Sequence, residues 1–201
     1  MVRFFVLLCT LFLSTLIHTE VSAAPMSRCQ ELAHQIKISH YQYFGTDFPY
    51  HYSVGQTQQE SNCRNVISLD GVGSEGPAQI TYRLWAADLR KQGIGDVKST
   101  LNNLRAQAYI NKASLMQAKH KHLWNAYQIY NGGGLVNIEI ARAGGRNDWE
   151  AARKACRRKT IYFKGGWSEN ACDINYDYSV KLYKYGKQYK VVTDSVLYPY
   201  W

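Results

Sequence analysis

Residues 57–80 read TQQESNCRNVISLDGVGSEGPAQI. The first part, 57–63, is expected as a short helical segment, and it carries Glu60-Ser61 near its end. Glycine, serine and acidic residues then fill 68–76, which marks a loop. The block Gly76-Pro77-Ala78-Gln79-Ile80 follows, and it leads into helical spacing over 79–92 through Ile80, Leu84, Ala87 and Leu89. Working toward the N-terminus, 41–52 is aromatic but broken by Gly45, Asp47 and Pro49, so loop or very short helix is expected there. Before it, 27–38 reads as a helix that Ser27 can cap, with Leu32, Ala33 and Ile36 on one face. Toward the C-terminus, 99–111, 115–130 and 135–143 read as helices, separated or closed by glycines. The chain to Gly145 therefore reads as all-α with short glycine-containing connections.

Beyond Gly145 the character changes. Residues 149–158 suit one more helix, and 160–163 and 191–197 have strand-like composition. Between the strands lies a stretch dense in tyrosine and lysine, including Tyr176, Tyr178, Tyr183, Lys184, Tyr185 and Tyr189. The expected class is mainly α: a helical domain over 24–145 with a small C-terminal extension, 146–201, of mixed or β character.

At the other end, Arg3 precedes a nearly continuous apolar run over 4–17, and Val21-Ser22-Ala23 presents small residues before Ala24. That order is the layout of a secretory signal peptide over 1–23. The run is shorter than the roughly 20 residues a membrane span needs, so no stable membrane insertion is expected once it is removed. Its removal takes away Cys9 and leaves Cys29, Cys63, Cys156 and Cys172. An even count in an exported chain favours disulfides. Four cysteines allow three pairings; proximity along the chain favours Cys29–Cys63 and Cys156–Cys172. No CxxC spacing occurs and the six histidines form no ligand set, so neither a metal nor a cofactor is expected.

The net charge of +9 attracts anionic partners, and nucleic acid, anionic membrane and bacterial cell wall all qualify. Glu60 bears on the choice. Glycoside cleavage needs a carboxylic acid still protonated at working pH. A carboxyl among apolar and aromatic groups keeps its proton, because burial disfavours the charged form.

Four blocks share an order found elsewhere: Glu60-Ser61, Gly76 to Ile80, Asn103-Leu104-Arg105-Ala106-Gln107-Ala108, and Ile129-Tyr130-Asn131-Gly132-Gly133. Together they resemble the soluble lytic transglycosylase and goose-type lysozyme superfamily over about residues 30–145. The resemblance implies a lysozyme-like helical domain that cleaves the β-1,4 bond between N-acetylmuramic acid and N-acetylglucosamine. It implies Glu60 as the single acid and base. It also implies a substrate-contacting set of Ser61, Gln79, Tyr130 and Asn131. In that set Ser61 holds the turn carrying Glu60, Gln79 hydrogen-bonds the sugar, Tyr130 sets its hydroxyl against Glu60 or the substrate, and Asn131 shapes the cleft floor. The loop is one residue longer than the family's spacing. Ser68 and Ser74 are the candidates for the N-acetyl contact, with Asp70 between them.

The partner implied is a peptidoglycan glycan strand, met by a monomer in the periplasm or outside the cell. A single acid suffices if the sugar's own 6-hydroxyl closes a 1,6-anhydro ring. Hydrolysis would instead recruit a second carboxylate, with Asp70 and Glu75 the loop candidates. A non-catalytic wall-binding protein is the remaining alternative. Nucleic-acid binding through the Lys/Tyr-rich tail fits neither export nor the motif set.

Overall fold

The computed structural model describes residues 27–68, 72–157, 160–162 and 166–191. Among them the chain forms eight α-helices and one two-stranded antiparallel sheet. The helices are α1 Arg28–Phe44, α2 His51–Ser61, α3 Tyr82–Lys91, α4 Thr100–Gln117, α5 Leu123–Gly132, α6 Leu135–Arg142, α7 Trp149–Ala155 and α8 Ala171–Gly186. Strands β1 Thr160–Tyr162 and β2 Ser168–Asn170 pair between α7 and α8. The mainly helical class expected from the sequence is the one observed. The segment expected as a signal peptide, and nearly all of the strand expected over 191–197, lie outside the described residues.

Ser27 opens α1 with a capping box: its hydroxyl accepts from Gln30 N, and its own N–H donates to Gln30 Oε1. The helix continues six residues past its expected end at 38. His40, Phe44 and Phe48 stack on one another and give the extra turns a packed face.

Helix α2 begins at His51, well before the expected start at Thr57. Its buried face is Ser53, Val54, Gly55, Gln56 and Thr57, of which only Val54 is a large apolar residue. Hydrophobic periodicity cannot register such a face, because hydrogen bonds and close backbone approach hold it. Helix α4 runs on past Asn111, since Asn111 and Ser114 are buried rather than terminal. The single helix expected over 115–130 is two. Helix α4 stops at Gln117, Lys121 takes the left-handed conformation (φ 57°), and α5 starts at Leu123. His120 and His122 therefore lie in the connection between α4 and α5; His120 Nε2 lies 2.8 Å from Gly145 O.

The Tyr/Lys-rich stretch is helix α8. Ala171, Asn175, Tyr178, Leu182 and Gly186 recur at helical spacing and are buried, while Asp177, Lys181 and Lys184 point outward. Its most extensive packing is against α2. There Gly55 faces Gly186, so that a Cβ on Gly55 would lie 2.5 Å from Gly186 N. The main core gathers Ile36, Phe48, Val54, Leu104, Leu123, Tyr127, Tyr178 and Leu182 from α1, α2, α4, α5, α8 and the loop before α2. A second cluster, around Ala78, Ile80, Leu89, Ile94, Val97, Ala106 and Ile110, supports the loop that follows α2.

Both favoured disulfides are formed. Cys29–Cys63 joins the start of α1 to the residue just beyond α2, and Cys156–Cys172 joins the end of α7 to the first turn of α8. Among the described residues no helix is long and apolar enough to cross a membrane.

Candidate active site

Glu60 stands in the last turn of α2. Asn62 and Cys63 then take left-handed backbone conformations (φ 54° and 59°), which turn the chain sharply and deliver Cys63 to its disulfide. Ser61 is buried; its hydroxyl donates to Pro77 O at 2.7 Å and accepts from Arg64 N at 3.0 Å. These bonds tie the helix end to the loop, and Ser61, grouped by sequence with the substrate-contacting residues, lines none of the cavities beside Glu60.

The loop closes on itself through Glu75 and Ile80, which exchange backbone hydrogen bonds at 3.1 and 2.9 Å. Asn103 of α4 pins it from beneath. Its Oδ1 accepts from Ala78 N at 2.8 Å, and its Nδ2 donates to Glu75 O at 2.7 Å and Val97 O at 3.2 Å. Gly76 (φ +77°) has no room for a side chain, because a Cβ there would sit 2.2 Å from Asn103 Nδ2. Gln79 is not part of helix α3. It occupies the turn before it with φ 50°, a conformation a non-glycine residue holds only when its surroundings enforce it.

Three adjoining cavities make a groove past Glu60. The first, about 360 Å³, is lined by Glu60, Ser68, Ser74, Gln79, Thr81, Tyr130 and Asn131. A second, about 230 Å³, shares Glu60 and Asn131 and is walled on its far side by Glu169, Asp177, Tyr178 and Lys181. A third, about 170 Å³, shares Gln79, Thr81, Tyr130 and Asn131 and ends on Leu84 and Trp85. Leu84, expected on the apolar face of α3, is two-thirds exposed (66%) and faces this groove.

Within the groove, Gln79 Nε2 is spent on Val66 O and Gly76 O, which leaves Oε1 to accept from a ligand. Asn131 donates to Asn175 Oδ1 at 3.1 Å. Ser68 and Ser74 both reach the first cavity. Glu75 lines none of the three, and Asp70 lies outside the described residues.

Burial raises the Glu60 carboxyl to about 7, opposed by a hydrogen bond from Tyr178. Tyr178 Oη donates to Glu60 Oε1 at 2.5 Å. Tyr130, whose hydroxyl was expected against Glu60 or the substrate, lines the groove and donates that hydroxyl to Ala78 O at 2.7 Å. Tyr130 is close enough to feel the Glu60 charge, and burial with that charge holds its phenol well above the usual range. A carboxyl that titrates near neutrality inside a polar groove can both give and take a proton at physiological pH.

Sequence reading missed Tyr178, Asn103 as a loop anchor, and the two carboxylates of Glu169 and Asp177. The helical spacing in α8 was a usable signal for the first, and Asn103 opens the third of the quoted blocks without its role being read; nothing local marks the two carboxylates. Elsewhere, Glu139, Cys156 and Cys172 converge to within 4.8 Å, but the two sulfurs share a disulfide and present no thiolate to a metal. No protein-family model, curated protein or solved structure matches the chain.

Proposed function

We propose that this chain is an exported enzyme that cleaves the β-1,4 bond between N-acetylmuramic acid and N-acetylglucosamine in peptidoglycan. The observation that carries the reading is Glu60: a carboxyl raised to about 7, open to a groove whose walls offer Gln79, Ser68, Ser74, Thr81 and Asn131 to a sugar. The four-block resemblance to lytic transglycosylases and goose-type lysozymes supports it, as do the two disulfides and the net charge of +9, which suits an anionic wall.

Protonated Glu60 gives its proton to the bridging oxygen, and the bond from that oxygen to the anomeric carbon breaks. The substrate's N-acetyl carbonyl stabilises the positive charge left behind. The Glu60 carboxylate then takes the proton of the same sugar's 6-hydroxyl, whose oxygen bonds to the anomeric carbon. A 1,6-anhydro ring results, and Glu60 is protonated again. The tethered hydroxyl gains from proximity and needs no second carboxylate.

A second reading is favoured by one specific observation. Glu169 and Asp177 line the cavity that shares Glu60, so a carboxylate able to activate water stands on the α8 side of the groove. Mass spectrometry of digested wall separates the two. Anhydro ends, lighter by one water, support the first reading; reducing ends lost in Asp177→Asn or Glu169→Gln support hydrolysis. An intact wall under both conditions removes enzymatic cleavage and leaves a wall-binding protein.

A further inference from the structure

We infer that Arg28 and Arg64 form a second binding site, separate from the groove, that takes a phosphate ester. A cavity of about 350 Å³ opens between the start of α1, the end of α2 and the turn beyond α8. Ser27, Arg28, Gln58, Asn62, Arg64 and Tyr189 line it together with Cys29. It shares no residue with the three cavities that pass Glu60, so the site stands whether or not Glu60 cleaves a glycan.

A disulfide brings the two arginines together. Arg28 precedes Cys29 and Arg64 follows Cys63, and the Cys29–Cys63 bond holds the two cysteine Cα atoms 5.2 Å apart. Two cations are thereby fixed at one cavity by a covalent bond. Like charges held together repel, and no carboxylate lines the cavity to offset them. Among the described residues the Arg28 side chain takes part in no ion pair or hydrogen bond. Arg64 donates through Nε to Ser61 O at 3.0 Å, a backbone contact that anchors the guanidinium and leaves its two terminal nitrogens to a ligand.

The other polar groups also present protons. Tyr189 Oη donates to Gln58 Oε1 at 2.7 Å, so Gln58 Nε2 is left as a donor toward the cavity. Burial raises the Tyr189 phenol, opposed by a hydrogen bond with Ser27, so Tyr189 stays neutral and adds no negative charge. Asn62 adds an amide, held by the left-handed turn (φ 54°) that delivers Cys63 to its disulfide. Two guanidinium forks with amide donors select an oxyanion. A carboxylate has two oxygens, which a single fork can occupy. A phosphate ester presents further oxygens in other directions and can meet both forks at once. The lining holds no large aliphatic side chain to enter a bilayer, which favours a phosphate ester on a polar molecule over a lipid headgroup.

The test is calorimetric titration of the full chain with a glycerol-phosphate oligomer. It is run at about 0.15 M salt, where diffuse attraction from the net charge is screened. The oligomer is expected to bind, and inorganic phosphate to compete with it. Arg28→Ala and Arg64→Ala should each weaken binding about tenfold or more, the size of a charged hydrogen bond lost. The double variant Arg28→Lys, Arg64→Lys keeps the charge but not the forks, and it should weaken binding by a similar factor. Gln58→Glu sets a carboxylate against the arginines and should abolish binding. Affinity that survives the alanine variants, or that the lysine variant retains in full, would overturn the inference, since net charge alone would then account for it. Vesicles of phosphatidylglycerol supply the lipid arm. Arginine-dependent capture by vesicles without oligomer binding would overturn it in favour of a membrane contact.

Discussion

Gly55 and Gly186 bring the backbones of α2 and α8 into direct contact: a Cβ on Gly55 would lie 2.5 Å from Gly186 N and 2.9 Å from Leu182 O. This crossing sets the distance between the helix that carries Glu60 and the helix that carries Tyr178.

Gly55→Ala should therefore separate the two helices. The alanine gains helix propensity, but the obstacle is backbone and cannot swing aside, so a net loss of about 1–3 kcal/mol is expected. Urea denaturation measures it. A variant as stable as the parent would show that the crossing tolerates a wider spacing.

Glu60→Gln keeps shape and polarity but has no acidic proton. The protein should fold normally, as read by circular dichroism, and lose about 10²–10⁴-fold in wall lysis. Near-normal lysis would remove Glu60 from its role.

Stability should depend on pH in a particular direction. Glu60 and Glu139 are each raised by burial from 4.5 to about 7. Between those values the folded state binds protons that the unfolded state has released, so the unfolded state gains as pH rises. Their contribution is fully present below about pH 4.5, declines by up to about 1.4 kcal/mol per pH unit for each group, and is gone above about 7. Denaturation midpoints across that window should fall with rising pH, and the Glu60→Gln, Glu139→Gln double variant should flatten the curve.

Asn103→Ala removes two hydrogen bonds to the backbone of the loop and one to Val97 O, and leaves Ala78 N without its buried acceptor. A cost of about 1–3 kcal/mol is expected from the orphaned group. Because the loop carries Gln79, substrate affinity should fall as well. Unchanged affinity for wall fragments in a folded variant would mean that the loop holds its shape without Asn103.

The bond between Cys29 and Cys63 closes a loop with sequence separation 34. The double variant Cys29→Ser, Cys63→Ser should lose about 3–4 kcal/mol by the chain-entropy relation. Thiol labelling of the unfolded, unreduced protein should leave Cys29, Cys63, Cys156 and Cys172 unlabelled, and labelling of either member of a pair would contradict that pair's bond.

Much of the helical framework was legible. The cap at Ser27 and the helices expected over 99–111 and 135–143 rest on local signals, and local physics suffices to place them. The start of α2 was not legible, because Ser53, Gly55, Gln56 and Thr57 look like solvent-facing residues until α4 and α8 cover them. The break between α4 and α5 was also hidden. Lys121 carries no sequence mark of the left-handed conformation it takes.

At the candidate site, it was the four-block resemblance, two blocks of which lie within residues 57–80, that singled out Glu60, the serines of the loop and Gln79; each alone could pass for a surface residue. Cysteine count left three pairings open, and proximity along the chain favoured the one observed. What only the tertiary structure decided is which groups share the groove with Glu60. Tyr178 lies 118 residues away along the chain, and it meets the carboxylate because two glycines let α8 press against α2. Charge, burial and hydrogen-bond direction at Glu60 are sums over neighbours in space. A linear sequence lists the residues that can be neighbours, and only the packed chain selects those that are.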